Sequence, residues 1–519
     1  LLFKFNRSAL EKPIVRATLA FSTYRRSRVV LCKESDIIKG YELLKPKKHL
    51  RPMSATQVTS PAEVKTVTGG PQTKRSCNPL VWVLTTYFAQ GLPFMLVRIL
   101  SSLYFTQLGV RELYLGYTNY LGLPWNLKFL WAPVIDGFSS KRRWQIALQL
   151  LLAALTFCIA YLSYLGAISP DPAQYLRFIA AVFVVMAFVA ATNDVAIDGH
   201  YLEGLSSREE QALLSGYRVV AYRLAMVFAR SGLVLLVAWF AARFAPISPG
   251  LAWVPAFVCA AVVLALLALV HTVILPPAIK ASSIARNSLS NASIEGRVAR
   301  AFKIFRDGFK SYLDQPKVWL VLSFIVFYKL GDEVLFSMVT PFLMRELKVS
   351  TDQYAWIGGI VGATGTIVGA LVGGWWINRV GLRRAIWPLT LVMNLNIWLY
   401  VWMSVELPDP TTALGVATIA AIHGVEQIAA GVGSAVLLVF LLSTCRSEYR
   451  ATHYAIGSAI MSLPGTIIGG EGGRFVELFG YSALYVAAFV LALPGMCLIP
   501  FVPLGESERG VLRGSAERC

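Results

Sequence analysis

Three ionisable residues, Lys329, Asp332 and Glu333, stand within five positions in the apolar stretch YKLGDEVLFSMVTPFLMREL. Spacings of three and four put Lys329 on one helical face with both acids. An ion pair that neutralises itself would explain two of them. Three charges at one depth exceed that need and suit a polar cavity, where a cation holds an ionised solute and a carboxylate carries a proton. Arg223 in AYRLAM lies eleven residues into another apolar run, roughly 16 Å at ~1.5 Å per residue. Arg98 and Lys128 add positive charge in two earlier runs, where their stems would also let them snorkel. Arg230, seven residues beyond Arg223, is expected to snorkel. Asp194, beside Asn193 in ATNDVAIDGHYLEGL, is deep enough to pair with Arg223, whereas Asp198 suits a solvated helix end.

His423, Glu426 and Gln427 cluster in a further run, His423 and Glu426 being a satisfied pair or a protonatable couple. Glu471 and Arg474 are expected to pair structurally. The residues expected to contact solute are therefore Arg98, Lys128, Asn193, Arg223 and Lys329. Those expected to handle protons are Asp194, Asp332, Glu333 and Glu426. Neither a metal nor a cofactor is expected, and no catalytic residue is assigned: the seven cysteines are scattered, with no CxxC pair and no histidine at ligand spacing.

The elements that must position these charges are membrane helices. Of 519 residues, 56% are hydrophobic and 15% charged, with a mean hydropathy of +0.59. Soluble chains carry about 25% charged residues, so a soluble enzyme is excluded. The net charge of +19 is not a nucleic-acid footprint, because residues 1–78 hold 16 Lys/Arg against 5 Asp/Glu and the rest sits in short connections. Residues 1–78 are read as a basic, disordered leader without a secretory signal, with 1–52 expected to lie upstream of a start at Met53.

Twelve apolar stretches follow, near 80–106, 113–135, 144–167, 173–197, 212–242, 251–276, 318–344, 354–377, 386–405, 412–443, 451–476 and 482–503. Each is long enough for the ~20 residues of a crossing helix. Connections after the even-numbered stretches hold 17 basic residues and those after the odd-numbered ones 4, which assigns both termini to the cytoplasm. The expected units are a six-helix bundle at 79–277, a linker at 278–316, a second bundle at 317–504 and a tail at 505–519. In the linker, RVARAFKIFRDGFKSYL places Val298, Phe302, Ile304, Phe305 and Phe309 near one side of an amphipathic helix suited to an anionic bilayer surface.

The halves echo each other. Arg142 and Arg143 recur as Arg383 and Arg384 at an offset of 241, and Gly216 recurs as Gly457 at the same offset. With Asp136 and Arg379, these basic-loop residues are expected to act in gating. Gly365, Gly369 and Gly373, and likewise Gly465, Gly469 and Gly473, form stripes that let backbones approach closely. They are expected at a rocking seam between halves. Parallel repeats of six spans around a mid-membrane solute site resemble the major facilitator superfamily.

The segments LGLPWNLKFLWAPVIDGF, ATNDVAIDGHYLEGLSSREEQ, AYRLAM, FYKLGDEVLFSMVTPFLMREL and CRSEYRATHYAIGSAIMSLPG resemble the AmpG-type muropeptide permeases, a facilitator group related to the acetyl-coenzyme A transporters. The resemblance covers about 79–500. It places Lys128 in KFLW, Asp194 and Asp198 in a QDxxxD-like stretch, Arg223 in GYRxGM, and Lys329 with Asp332 in YKLGD. Asn193, Ala221 and Asn378 depart from the group's usual Gln, Gly and Asp. The resemblance implies an all-α, twelve-helix, proton-driven importer of sugar-peptide wall fragments in the bacterial inner membrane. It would be monomeric, with solute, proton and lipid bilayer as partners and no nucleic acid. The rival readings are another bulky anion such as acetyl-coenzyme A, drug efflux, or, remotely, a polytopic membrane enzyme.

Overall fold

Helix starts along this chain are written by capping residues, several of them followed by proline. Asn78 accepts from the Leu80 amide ahead of Pro79, Asp171 from Ala173 ahead of Pro172, and Ser248 from Leu251 ahead of Pro249. Each cap satisfies an otherwise unbonded amide, and proline at the first helical position has no amide to satisfy. Ser140, Ser207 and Thr412 cap without proline, and Ser350 forms a capping box with Gln353.

The structure, a computed structural model, describes residues 78–132, 135, 140–205, 207–276, 294–446 and 450–503, and these form helices and short connections. The first six helical segments are α1 (Pro79–Gln107), α2 (112–130), α3 (Lys141–Ile168), α4 (Pro172–Gly204), α5 (208–243) and α6 (Pro249–Ile274). The next six are α7 (318–346), α8 (Thr351–Val380), α9 (Leu382–Glu406), α10 (Ala413–Ser443), α11 (Arg450–Gly470) and α12 (Gly472–Phe501), the last kinked at Gly480 with φ 81. Most segments of α1–α6 pack chiefly among themselves, as do those of α7–α12; α2 is the exception and lies mainly against α11 and α12 of the other bundle.

Among the described residues, nine of these helices are long and apolar enough to cross a bilayer. The remaining three of the expected twelve, α2, α7 and α11, differ for visible reasons. α2 contains 3₁₀ turns at Thr118–Gly122 and Lys128–Leu130, α7 breaks at Lys329 and Met338, and α11, long enough at 21 residues, dilutes its apolar run with serines, threonines, glycines and Pro464. The leader, Asp136 and the 505–519 tail lie outside the described residues. The linker carries a helix, Ile294–Leu313, with Phe302 and Phe309 exposed. Its end docks on the second bundle: Tyr312 meets His453 edge-on at 5.2 Å, and Arg446 donates to Ser311 Oγ and the Asp314 carbonyl.

The two glycine stripes have different partners. A Cβ at Gly369 would stand 1.9 Å from the Ile428 carbonyl, and Cβ atoms at Gly365 and Gly373 would press on Gln427 and Val432. The Gly365, Gly369 and Gly373 stripe thus seats α8 on α10 inside one bundle, which corrects its expected place at the seam. Gly465 makes room for the Glu333 side chain on α7, again within the bundle. Gly469 and Gly473 do reach the seam: the Gly469 Cβ position is 3.8 Å from Asn119 Cγ, and that of Gly473 is 1.8 Å from the Glu112 carbonyl on α2. On α8 the seam is made by earlier glycines, Gly359 against Ser231 and Gly362 against Arg230.

Every hydrogen bond between the bundles among the described residues lies between mid-depth and the end carrying the α1–α2, α7–α8 and α11–α12 connections. Arg345 donates to Glu112 Oε1 at 2.8 Å and to the Thr106 carbonyl at 2.6 Å. Arg111 pairs with Glu477 at 2.7 Å, Tyr120 donates to Glu471 at 2.7 Å, and Gln107 donates to Thr351 at 2.9 Å. Deeper, Asn119 Nδ2 reaches the Ser337 and Gly469 carbonyls, and Asn126 bonds Thr466 and Ser462. This end is latched. Gly473→Val is expected to destabilise the purified protein by about 1–3 kcal/mol through overpacking against α2, seen as a lowered thermal midpoint. Gly374→Val, at a position with open space, should leave it unchanged.

Candidate functional site

A charge buried in apolar surroundings must be paired, hydrogen-bonded or solvated. In the first bundle, Asp194 meets that demand with Lys128, which forms an ion pair with it, and with Gln90, which donates to its other oxygen. The expected Asp194–Arg223 pair is therefore not formed. Lys128 sits on the 3₁₀ turn of α2, which turns its ammonium towards α4. Asn193, next to Asp194 in the chain, is buried, and its Oδ1 has no hydrogen-bond partner among the described residues.

Asp198 is not simply a solvated end. It accepts from Tyr87 and from Arg218, both at 2.9 Å, and the Arg218 guanidinium lies 4.4 Å from the ring centres of both Tyr87 and Tyr201. Stacking and ion pairing together fix this group, as suits a planar guanidinium.

Arg98 occupies a π-helical turn, Leu96–Leu100, and donates to the Asn119 carbonyl at 2.6 Å. It also lies in the field of Glu333, across the seam. Arg223 is half-buried, its one hydrogen bond being to Met226 Sδ at 3.4 Å, with no carboxylate at ion-pair distance among the described residues.

In the second bundle Lys329 pairs with Asp332 at 2.9 Å and with Glu333 at 3.3 Å, so the three share a face as their spacing requires. The break at Lys329 starts a new helix, Leu330–Ser337, and sets both acids in its first turn. There the helix dipole stabilises negative charge. Asp332 is 3% exposed, whereas Glu333 is partly open. On α10, His423 Nδ1 shares a hydrogen bond with Tyr400 at 2.8 Å, and Gln427 links Glu426 to Thr366. His423 and Glu426 are each 1% exposed, and His423 Nε2 and Glu426 Oε1 have no hydrogen-bond partner among the described residues.

Arg230 is the main residue that sequence reasoning misplaced. It does not snorkel: its Nε is buried and unbonded, and its guanidinium lies 3.6 Å from where a Gly362 Cβ would be, a point also 3.2 Å from His423 Nε2. The cause is a π-helical turn, Phe228–Leu233, facing a second one, Ala355–Val361, across the seam. Such turns shift side-chain register and recur at functional sites. Gln90, Asn119 and Asn126 were also missed. Uncharged amides in apolar spans were the available signal.

Glu471 bonds Tyr120, and no Glu471–Arg474 pair forms among the described residues. Of the basic-loop residues, Arg142 donates to the Thr272 carbonyl and Arg379 stacks on Trp375 at 4.9 Å, while Arg143, Arg383 and Arg384 are exposed.

A family model described as "Acetyl-coenzyme A transporter 1" matches residues 83–239. The anhydromuropeptide permease of Escherichia coli (strain K12) is 27% identical over 417 residues, covering 79% of this chain and 77% of that one. The putative transporter AmpG 4 of Rickettsia conorii is 23% identical over 420 residues, covering 79% of this chain and 93% of its own. The xylose transporter XylE from E. coli, in an inward open conformation, matches at a TM-score of 0.55 and 14% identity, covering 82% of this chain and 96% of that one. A POT family transporter in complex with 5-aminolevulinic acid matches at 0.59 and 10% identity, with the same coverage. The fold is the all-α major facilitator fold, and the chain is a multi-pass membrane transporter rather than an enzyme.

Removing Lys128 alone strands Asp194, so Lys128→Met is expected to destabilise the protein more than Lys128→Met combined with Asp194→Asn. A double-mutant cycle on thermal unfolding in detergent should give a coupling of about 1–3 kcal/mol. A coupling near zero would show that the pair is not formed.

Proposed function

We propose that this chain is a proton-coupled permease of the AmpG type, importing an anionic, muropeptide-like solute across the bacterial cytoplasmic membrane. The bundles 79–277 and 317–504 rock about the solute, the protein acts as a monomer, and both termini face the cytoplasm. With basic connections facing inward, the latched end faces out, so this conformation is open to the cytoplasm.

Arg223 is the observation that carries the reading. A half-buried guanidinium at mid-membrane with no acidic partner among the described residues needs an anion or a wet cavity beside it. Arg98 adds a second cation whose one direct partner among the described residues is a carbonyl. Lys128 and Lys329 are already paired, so they serve the solute by exchanging partners. When a carboxylate such as Asp332 or Glu333 takes up a proton, Lys329 loses part of its partnership and becomes available to the solute's anion. Glu426, buried with one unbonded oxygen, is the other candidate proton carrier. Each protonation state then favours a different conformation and solute affinity. Acetyl-coenzyme A is the second reading, because the family match at 83–239 contains Arg98, Lys128 and Arg223.

In proteoliposomes, unlabelled anhydromuropeptide is expected to compete for uptake and acetyl-coenzyme A is not; the reverse would favour the second reading. Arg223→Ala should lower uptake about tenfold, equivalent to ~1.4 kcal/mol of lost binding. Addition of solute should move protons with it. Asp332→Asn and Glu426→Gln should abolish that pH change while solute still binds. If wild-type vesicles show no pH change and both variants transport normally, proton coupling is wrong.

A further inference from the structure

Away from the seam, the outer face of the first bundle carries a groove of 510 Å³ between α1, α2 and α4. That volume lies within the range of ligand-sized cavities. Its wall is apolar, with Leu176, Ala180 and Val184 over the buried Phe105, Leu121 and Phe183, and its rim holds Arg111, Arg177, Tyr114 and Tyr117. Both tyrosines are exposed, as is Arg177. Arg177 has no hydrogen bond or ion pair with any described residue.

This distribution is unusual for its place. Between the apolar stretches of the sequence, the connections on this side hold only four basic residues, Arg111, Arg243, Arg345 and Lys348. One of them, Arg111, and Arg177 in the second turn of α4 converge on the same groove. A groove facing bilayer, apolar along its length, with tyrosines and guanidiniums at one end, has the layout of a lipid: tail contacts deep, amphipathic rings at the headgroup level, cations for the phosphate.

We propose that this groove binds one anionic phospholipid, its phosphate held between Arg177 and Arg111 and an acyl chain lying along Leu176, Ala180 and Val184. The site is separate from the transport path. It nonetheless shares Arg111 with the latch, since Arg111 donates to Glu477 Oε2 at 2.7 Å and to Oε1 at 3.3 Å. Phosphate and the Glu477 carboxylate compete for one guanidinium. Glu477 also accepts from the Leu113 amide at 3.0 Å, so it is not left bare when Arg111 turns to the lipid. Occupancy of the groove therefore loosens one of the bonds that hold the bundles together at this end.

The test places the full chain in phosphatidylcholine vesicles with a trace of photoreactive phosphatidylglycerol and maps the labelled peptides. Label is expected on 105–121 and 173–184. It should fall at least fivefold in Arg177→Gln and in Ala180→Trp, which fills the groove and leaves both arginines intact. Arg243→Gln should not change it, and Glu477→Gln, by freeing Arg111, should raise it about twofold. Equal labelling by photoreactive phosphatidylcholine, or labelling indifferent to both groove variants, would mean unselective boundary lipid and overturn the proposal. Displacement by millimolar inorganic phosphate would overturn it in favour of a small-anion site. An unchanged Glu477→Gln would remove the competition for Arg111.

Discussion

The expense of holding charge inside an apolar bundle governs this structure. Insertion of a single Arg, Lys or Asp at mid-membrane costs ~2.5–3.5 kcal/mol on biological scales, and the protein meets it by a different route at each site. Asp194 takes an ammonium and an amide from two other helices. Asp332 and Glu333 take an ammonium from one turn back and the dipole of a helix that starts beside them. Arg98 borrows a backbone carbonyl, and Arg218 is stacked between two rings.

The same expense accounts for the irregular backbone. Arg98, Arg230 and Arg345 sit on π-helical turns, Lys128 on a 3₁₀ turn and Lys329 at a break. Regular helix directs a side chain by a fixed 3.6-residue period. An extra or missing residue in the turn lets it leave that direction and find a partner. Non-helical backbone at such depth is tolerated where it is buried in protein or lines a cavity, and it is concentrated here on the segments that form the seam.

Local geometry was legible in the sequence and long-range geometry was not. The Lys329–Asp332–Glu333 set could be read because spacings of three and four fix it within one helix. The partner of Asp194 could not, because Lys128 is 66 residues away and reaches it from a turn whose type no residue pattern announces. Arg230 illustrates the same limit: seven residues from Arg223 means one face only in an unbroken helix. The Gly365, Gly369 and Gly373 stripe announced close approach of backbones, correctly, but a stripe does not say which helix fills it. The fold class was legible from apolar length alone. In α2 and α7 the helix is interrupted where a lysine enters that length, whereas α4 and α10 run unbroken through Asp194 and Glu426.

The seating of α8 on α10 has a dynamical consequence. With carbonyls of one helix against glycine Cα atoms of the other, there is no side-chain layer to slide, and the pair moves as a single plate. The chain Thr366–Gln427–Glu426 spans that plate and lies wholly within it. Glu426 is thus held inside the plate by its amide, and the charge of Arg230, carried by the other bundle, reaches it through space.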